Sequence, residues 1–171
     1  MKPVRLALPA AVLVLLAAAP AVARTAPAAC PVSADHVVAN DGLTRSRAAV
    51  ADGRLTILAM GSSSIEGVGA SRPELGFVPL LQAGLEPRLP GVEVGVGNRG
   101  IGGGAGKEAA DRLAAETAAV RPDLVIWQLG TNDVLRDRSM DEIFADFRRG
   151  EAILGAAGVD VLLVDSPRLA G

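Results

Sequence analysis

From Leu55 to Val164, short apolar runs alternate with longer segments whose apolar residues recur every three or four positions. The runs Leu55 to Ala59, Leu124 to Leu129 and Val159 to Val164 have the length and content of buried strands, and Val92, Val94 and Val96 alternate as in a short strand. Between them, Phe77, Val78, Leu80, Leu81, Leu85 and Leu89 predict a helix over 75–89, stopped by Pro90-Gly91. Leu113, Ala114, Thr117 and Ala118 share one face of a second helix over 107–120, which Arg121-Pro122 ends. A third spans 140–156, with Ser139 as N-cap, Ile143, Phe144, Phe147, Ile153 and Leu154 turned inward, and Gly158 closing it. Nearly continuous apolar strands alternating with amphipathic helices indicate an α/β fold, a parallel sheet covered on both faces. There is no internal repeat and no sign of a second domain.

The start of the chain reads differently. Lys2 and Arg5 precede an apolar run from Leu6 to Ala19, and Ala21-Val22-Ala23 offers small residues for cleavage. That is the layout of a secretory signal peptide, and the run is shorter than the ~20 residues that span a bilayer. The expected organisation is a signal peptide at 1–23, a lead-in at 24–53 with Pro27, Pro31 and the turn Asn40-Asp41-Gly42, and one domain at 54–171, placed outside the cytoplasm or in a periplasm. Cys30, the one cysteine, cannot make an internal disulfide, and Pro27-Ala28-Ala29 lacks the aliphatic residue usual before a lipidated cysteine. His36, the one histidine, reads as a solvated loop residue. A net charge of −2 argues against nucleic acid or an anionic membrane surface as partner. No Cys/His cluster has metal-ligand spacing, and no cofactor or metal is expected.

Candidate chemistry lies in three loops that follow three strands: Gly61 to Gly67, Asn98 to Gly106, and Gly130 to Asp133. Right-handed crossovers bring such loops to one edge of a parallel sheet, where ligands bind. They supply a hydroxyl, a glycine-rich backbone with N–H groups to offer, and a carboxamide. Acyl transfer needs a nucleophile and donors aimed at the developing oxyanion. Ser62-Ser63-Ser64 equally suits a turn that caps the following helix. Gly95 to Gly100 fits the dinucleotide pattern G-x-G-x-x-G, but no helix opens inside it. Trp127 reads as core, Ser62 and Ser64 as turn or core hydroxyls, and Asp133 as a helix cap or solvated group.

The order Gly61-Ser62-Ser63, then Asn98-Arg99-Gly100-Ile101-Gly102-Gly103, then Gly130-Thr131-Asn132-Asp133 resembles the first three sequence blocks of the SGNH (GDSL) hydrolase superfamily. The resemblance covers about Arg54 to Leu169. It implies a three-layer αβα fold with a flavodoxin-like 2-1-3-4-5 sheet, four of whose five strands are present. Ser63 matches the family nucleophile. Gly103 matches the glycine whose N–H helps form the oxyanion hole, and Asn132 matches the side-chain donor, with the N–H of Ser63 as the third. Ser62 replaces the usual aspartate of the first block, which is no member of the triad. The family's Asp-x-x-His segment, carrying its acid and base, is not found, so the domain reads as C-terminally incomplete. Asp165 reads as a cap of the last exit loop. The resemblance implies an exported serine esterase acting on acyl esters, acetylated sugars or lipids; the alternative is a truncated, inactive remnant or a ligand-binding domain. Aromatic residues make up 2% of the chain, too few for an evident sugar-stacking platform.

Overall fold

The structure, a computed structural model, describes residues 42–164. The readings made for the signal peptide, Cys30, His36 and Asp165 fall outside that range. Four parallel strands, β1 (Arg54–Gly61), β2 (Glu93–Gly100), β3 (Leu124–Gln128) and β4 (Asp160–Val164), form one sheet in the order β2-β1-β3-β4. This is the parallel α/β architecture expected, with the first strand at the centre.

The side-chain period of two assigns the layers. Leu58 and Met60 of β1 pack with Val125 and Trp127 of β3 against Ala109, Ala110 and Leu113 of α4 (Gly106–Val120) and Leu154 of α6 (Met140–Ala157). Leu55 and Ile57, one position out of phase, pack with Leu124 and Ile126 on the opposite face. There they meet Ala49 and Val50 of α1 (Thr44–Ala51) and Leu81 and Leu85 of α3 (Phe77–Leu85). Each such fully buried aliphatic side chain contributes ~1.5–3 kcal/mol, so the unbroken apolar run of β1 reflects cover on both sides.

Several boundaries differ from the expectation. The lead-in expected over 24–53 contains a helix: 44–51 form α1, which has no apolar stripe to announce it. Polar contacts hold it instead. Ser46 donates its N–H and its hydroxyl to one oxygen of Asp160 in β4, both at 2.7 Å, and Arg45 pairs with Asp123 at 3.4 Å. β2 continues to Gly100, three residues into the predicted loop, because Gly100 still pairs in register with Gly61. The predicted helix over 75–89 is a 3₁₀ turn at Pro73–Leu75, then α3, then a second 3₁₀ turn at Glu86–Arg88.

Helix α6 begins at Ser139 as expected. Its hydroxyl accepts from the Glu142 N–H while Glu142 accepts from the Ser139 N–H. The helix ends at Gly158 with φ +65°. Phe144 does not face inward: it is 49% exposed, since α6 packs through Ile143, Phe147, Gly150 and Leu154, a stripe that leaves it to one side. Trp127 is core, stacked on Phe147 at 6.1 Å between ring centres. Gly95 to Gly100 lies inside β2 rather than at a strand-to-helix turn.

Candidate active site

β1 ends at Gly61, where a Cβ would sit 2.5 Å from Ile65 Cγ1 and 2.8 Å from Gln128 Oε1. With no side chain there, the backbone turns tightly into the one-turn helix α2 (Ser63–Glu66). Ser62 is buried and fixed, giving its N–H (3.0 Å) and hydroxyl (2.9 Å) to Gln128 Oε1 at the end of β3. Ser64 is exposed on α2. Ser63, between them, is partly exposed, and neither its N–H nor its hydroxyl has a partner among the described residues. An N–H in the first helical position has no intrahelical acceptor to use.

The second loop is a four-residue turn, Ile101 to Gly104, closed by the Gly104 N–H on the Ile101 carbonyl at 3.0 Å. Gly103 holds φ +74° at its third position, a conformation that favours glycine. Following the N–H groups along this stretch isolates one. Gly100 donates to Asn98 Oδ1, Ile101 to the Gly61 carbonyl, and Gly102 to Glu66 Oε2 at 2.6 Å. Ala105 donates to Glu108 and Gly106 to Asp133. From Gly100 to Gly106, the N–H of Gly103 alone has no partner among the described residues.

The third loop runs from β3 through Gly130 into α5 (Thr131–Leu135). Asn132 donates one carboxamide hydrogen to the Gly104 carbonyl at 2.8 Å, which leaves its second N–H. Asp133 is 1% exposed; both its oxygens accept from Gly106 N–H, and Arg138 pairs with it at 2.6 Å. It caps α4, the first of its two expected roles. The carboxylates of Asp146 and Asp133 together hold Arg138 above the ordinary guanidinium range.

Ser63, Gly103 and Asn132 thus stand beyond the carboxyl ends of β1, β2 and β3, neighbouring strands, in loops tied to one another. Ile101 bonds back to Gly61, Gly102 to Glu66 of α2, and Asn132 to Gly104. Asn98 adds a further tie, donating to the carbonyls of Ile65 (2.9 Å) and Glu66 (3.3 Å). A shallow pocket beside the turn is lined by Gly61, Ile101, Gly103, Glu108, Arg112 and Arg136. Sequence reasoning missed Gln128, Glu66 and Arg136. The one local signal was a glutamine near the end of an otherwise apolar strand.

Residues 42–164 contain no histidine. Among the described residues no group of His, Cys, Asp and Glu is placed to hold a metal ion, and no helix is long and apolar enough to cross a membrane.

A family model described as "Non-GDSL lipase-like family" matches residues 29–168. The fold is similar to the crystal structure of TesA, with 31% identity, a TM-score of 0.59, and 63% of this chain aligned to 58% of that one. It is similar also to AlinE4, described as an SGNH-hydrolase family esterase, at 26% identity and TM-score 0.59, covering 64% and 58%. A two-domain esterase (CEX) active on acetylated mannans matches at 25% identity and TM-score 0.59, covering 70% of this chain and 32% of that one. The chain therefore spans just over half the length of TesA and AlinE4. No curated protein sequence matches it.

Proposed function

This chain belongs to the non-GDSL lipase-like family of SGNH-type hydrolases, and from that premise we propose that it is an exported serine esterase with Ser63 as nucleophile. Ser63 Oγ attacks the ester carbonyl. The carbonyl oxygen becomes an oxyanion held by the N–H groups of Ser63 and Gly103 and the remaining carboxamide hydrogen of Asn132. The intermediate collapses to an acyl-serine and the alcohol, and water then releases the acid. Taking the proton from Ser63 falls to a base outside residues 42–164.

The observation that carries this reading is the lone N–H at Gly103. Its neighbours on both sides are spoken for by Glu66, Ile101, Glu108 and Asp133, so the turn is rigid and offers one donor. A fixed donor costs no reorganisation when charge develops, and removing one typically slows such reactions ~10²–10³-fold. The substrate class we propose is a small acyl ester, such as an acetylated sugar or a lipid ester. The leader at 1–23 supports export.

The test is hydrolysis of p-nitrophenyl acetate by the protein and by Ser63→Ala, with mass spectrometry of the peptide carrying Ser63. Turnover confined to the parent protein, with an acetyl adduct on Ser63, is the expected result; equal rates remove Ser63 from the nucleophile's role. A second reading, a binding domain without turnover, is favoured by the Ser63 hydroxyl having no base beside it among the described residues. Binding of an acetylated sugar with no Ser63-dependent hydrolysis would establish that one.

A further inference from the structure

We propose that Arg136 is a positioning residue that holds the Gly103 turn in its donor-presenting form, an inference that rests on the esterase reading for its functional consequence. Asn132 and Arg136 lie one helical turn apart, joined by the Arg136 N–H on the Asn132 carbonyl at 3.1 Å, and so project on one side of α5. Both reach the same target. Asn132 bonds the carbonyl of Gly104, and the Arg136 guanidinium bonds the carbonyl of Gly103 next to it.

The other arm of that guanidinium pairs with Glu108 Oε1 at 2.8 Å, and Glu108 Oε2 accepts from the Ala105 N–H at 3.1 Å. A forked, planar cation is suited to this double duty in a way that an ammonium is not. Arg136 thereby ties the turn to the first residues of α4. Glu66, on α2, holds the opposite side through the Gly102 N–H. Without Arg136, the peptide joining Gly103 to Gly104 has no anchor from the α5 side, and Asn132 alone holds the turn through the carbonyl of the following peptide, that of Gly104. That makes Asn132, a proposed oxyanion donor, carry the strain of holding the turn.

Arg136 is half-exposed and packs into no core cluster, so its removal perturbs the turn rather than the fold. The experiment compares the protein with Arg136→Ala and Arg136→Lys, uniformly labelled with ¹⁵N-glycine. Two things are read: amide hydrogen exchange at Gly104, whose N–H closes the turn, and kcat and KM for p-nitrophenyl acetate. Arg136→Ala is expected to speed Gly104 exchange at least ~10-fold and to lower kcat ~10- to 100-fold, short of the loss of a whole donor. KM is expected to stay within about twofold, because the contact acts on the oxyanion rather than on substrate binding. Arg136→Lys should recover part of both effects. Unchanged Gly104 exchange with unchanged kcat in Arg136→Ala overturns the inference. If the parent protein shows no Ser63-dependent turnover, the esterase reading fails by itself, and Gly104 exchange still decides whether Arg136 holds the turn.

Discussion

Gly100 is where β2 passes α2 most closely, and a single methyl group there tests whether that approach sets the site. A Cβ at Gly100 would fall on the Glu66 backbone nitrogen and lie 2.7 Å from Glu66 Cα and from the Ile65 carbonyl carbon. All three atoms are main chain, so no rotamer change relieves the clash. Carbon atoms pack at ~3.5–4.0 Å, so the end of β2 and α2 must part by roughly 1 Å. That displacement runs through the ties that join the two loops, Asn98 to the Ile65 carbonyl and Glu66 to the Gly102 N–H. It moves Ser63 relative to Gly103. A misplacement of ~1 Å costs ~10²-fold in rate, about 2.7 kcal/mol at ~1.36 kcal/mol per factor of ten. The overpacking itself costs ~1–3 kcal/mol of stability. Gly155→Ala serves as the control, since a methyl there meets nothing within 4 Å on the exposed side of α6 and should stabilise by ~0.5–1 kcal/mol. Thermal unfolding and ester hydrolysis measured on both variants decide the matter. Gly100→Ala melting and turning over like the parent protein would refute the argument that this contact places Ser63.

Gly150→Ala puts a methyl onto the Trp127 ring, against Cη2 and 2.5 Å from Cζ3, with Leu113 Cδ1 at 2.9 Å; thermal unfolding should show a loss of ~1–3 kcal/mol. Asp133→Ala leaves the buried Gly106 N–H without an acceptor while Arg138 keeps Asp146 at 2.7 Å, so denaturant unfolding should show a loss of ~1–3 kcal/mol rather than that of a fully broken buried pair. Arg136, and then the hydrogen bonds at the start of α4, hold the Glu108 carboxyl below its ordinary value of 4.5. A lowered folded-state value means that the contribution is fully present above about pH 4.5 and is lost as pH falls through the lower value. Melting curves taken down to about pH 3 should therefore show the parent protein losing stability relative to Glu108→Gln, by less than ~1 kcal/mol because the Glu108 side chain is 52% exposed.

The strands were legible because an apolar run needs no partner to be recognised, and the parallel sheet followed from their alternation with amphipathic helices. Helix α1 was not, because Ser46 and Arg45 secure it through Asp160 and Asp123, residues far along the chain that no local period reveals. Phe144 fits an inward face by spacing, yet the line through Gly150, where the Trp127 ring needs room, turns α6 away from it. At the site, Ser63, Gly103 and Asn132 were found by motif order. Why Gly103 rather than a neighbour offers the free N–H depends on Glu66, Glu108 and Asp133 reaching the adjacent amides. Side-chain-to-backbone contacts of that kind exist only once the loops have been assembled.

The bond from Ser46 to Asp160 joins the first helix of the described fold to its last strand, 114 positions apart. A gene trimmed to start at Arg54, where the apolar pattern begins, would discard both donors to a buried carboxylate and uncover Leu55 and Ile57 beneath them. Hydrogen bonds to charged groups are worth ~1.5–3 kcal/mol each, a large share of the ~5–15 kcal/mol that keeps a domain folded. Anyone cloning this protein for crystals or assays should keep Thr44–Ala51, and should expect a clone cut at the first strand to come out of the cell in inclusion bodies.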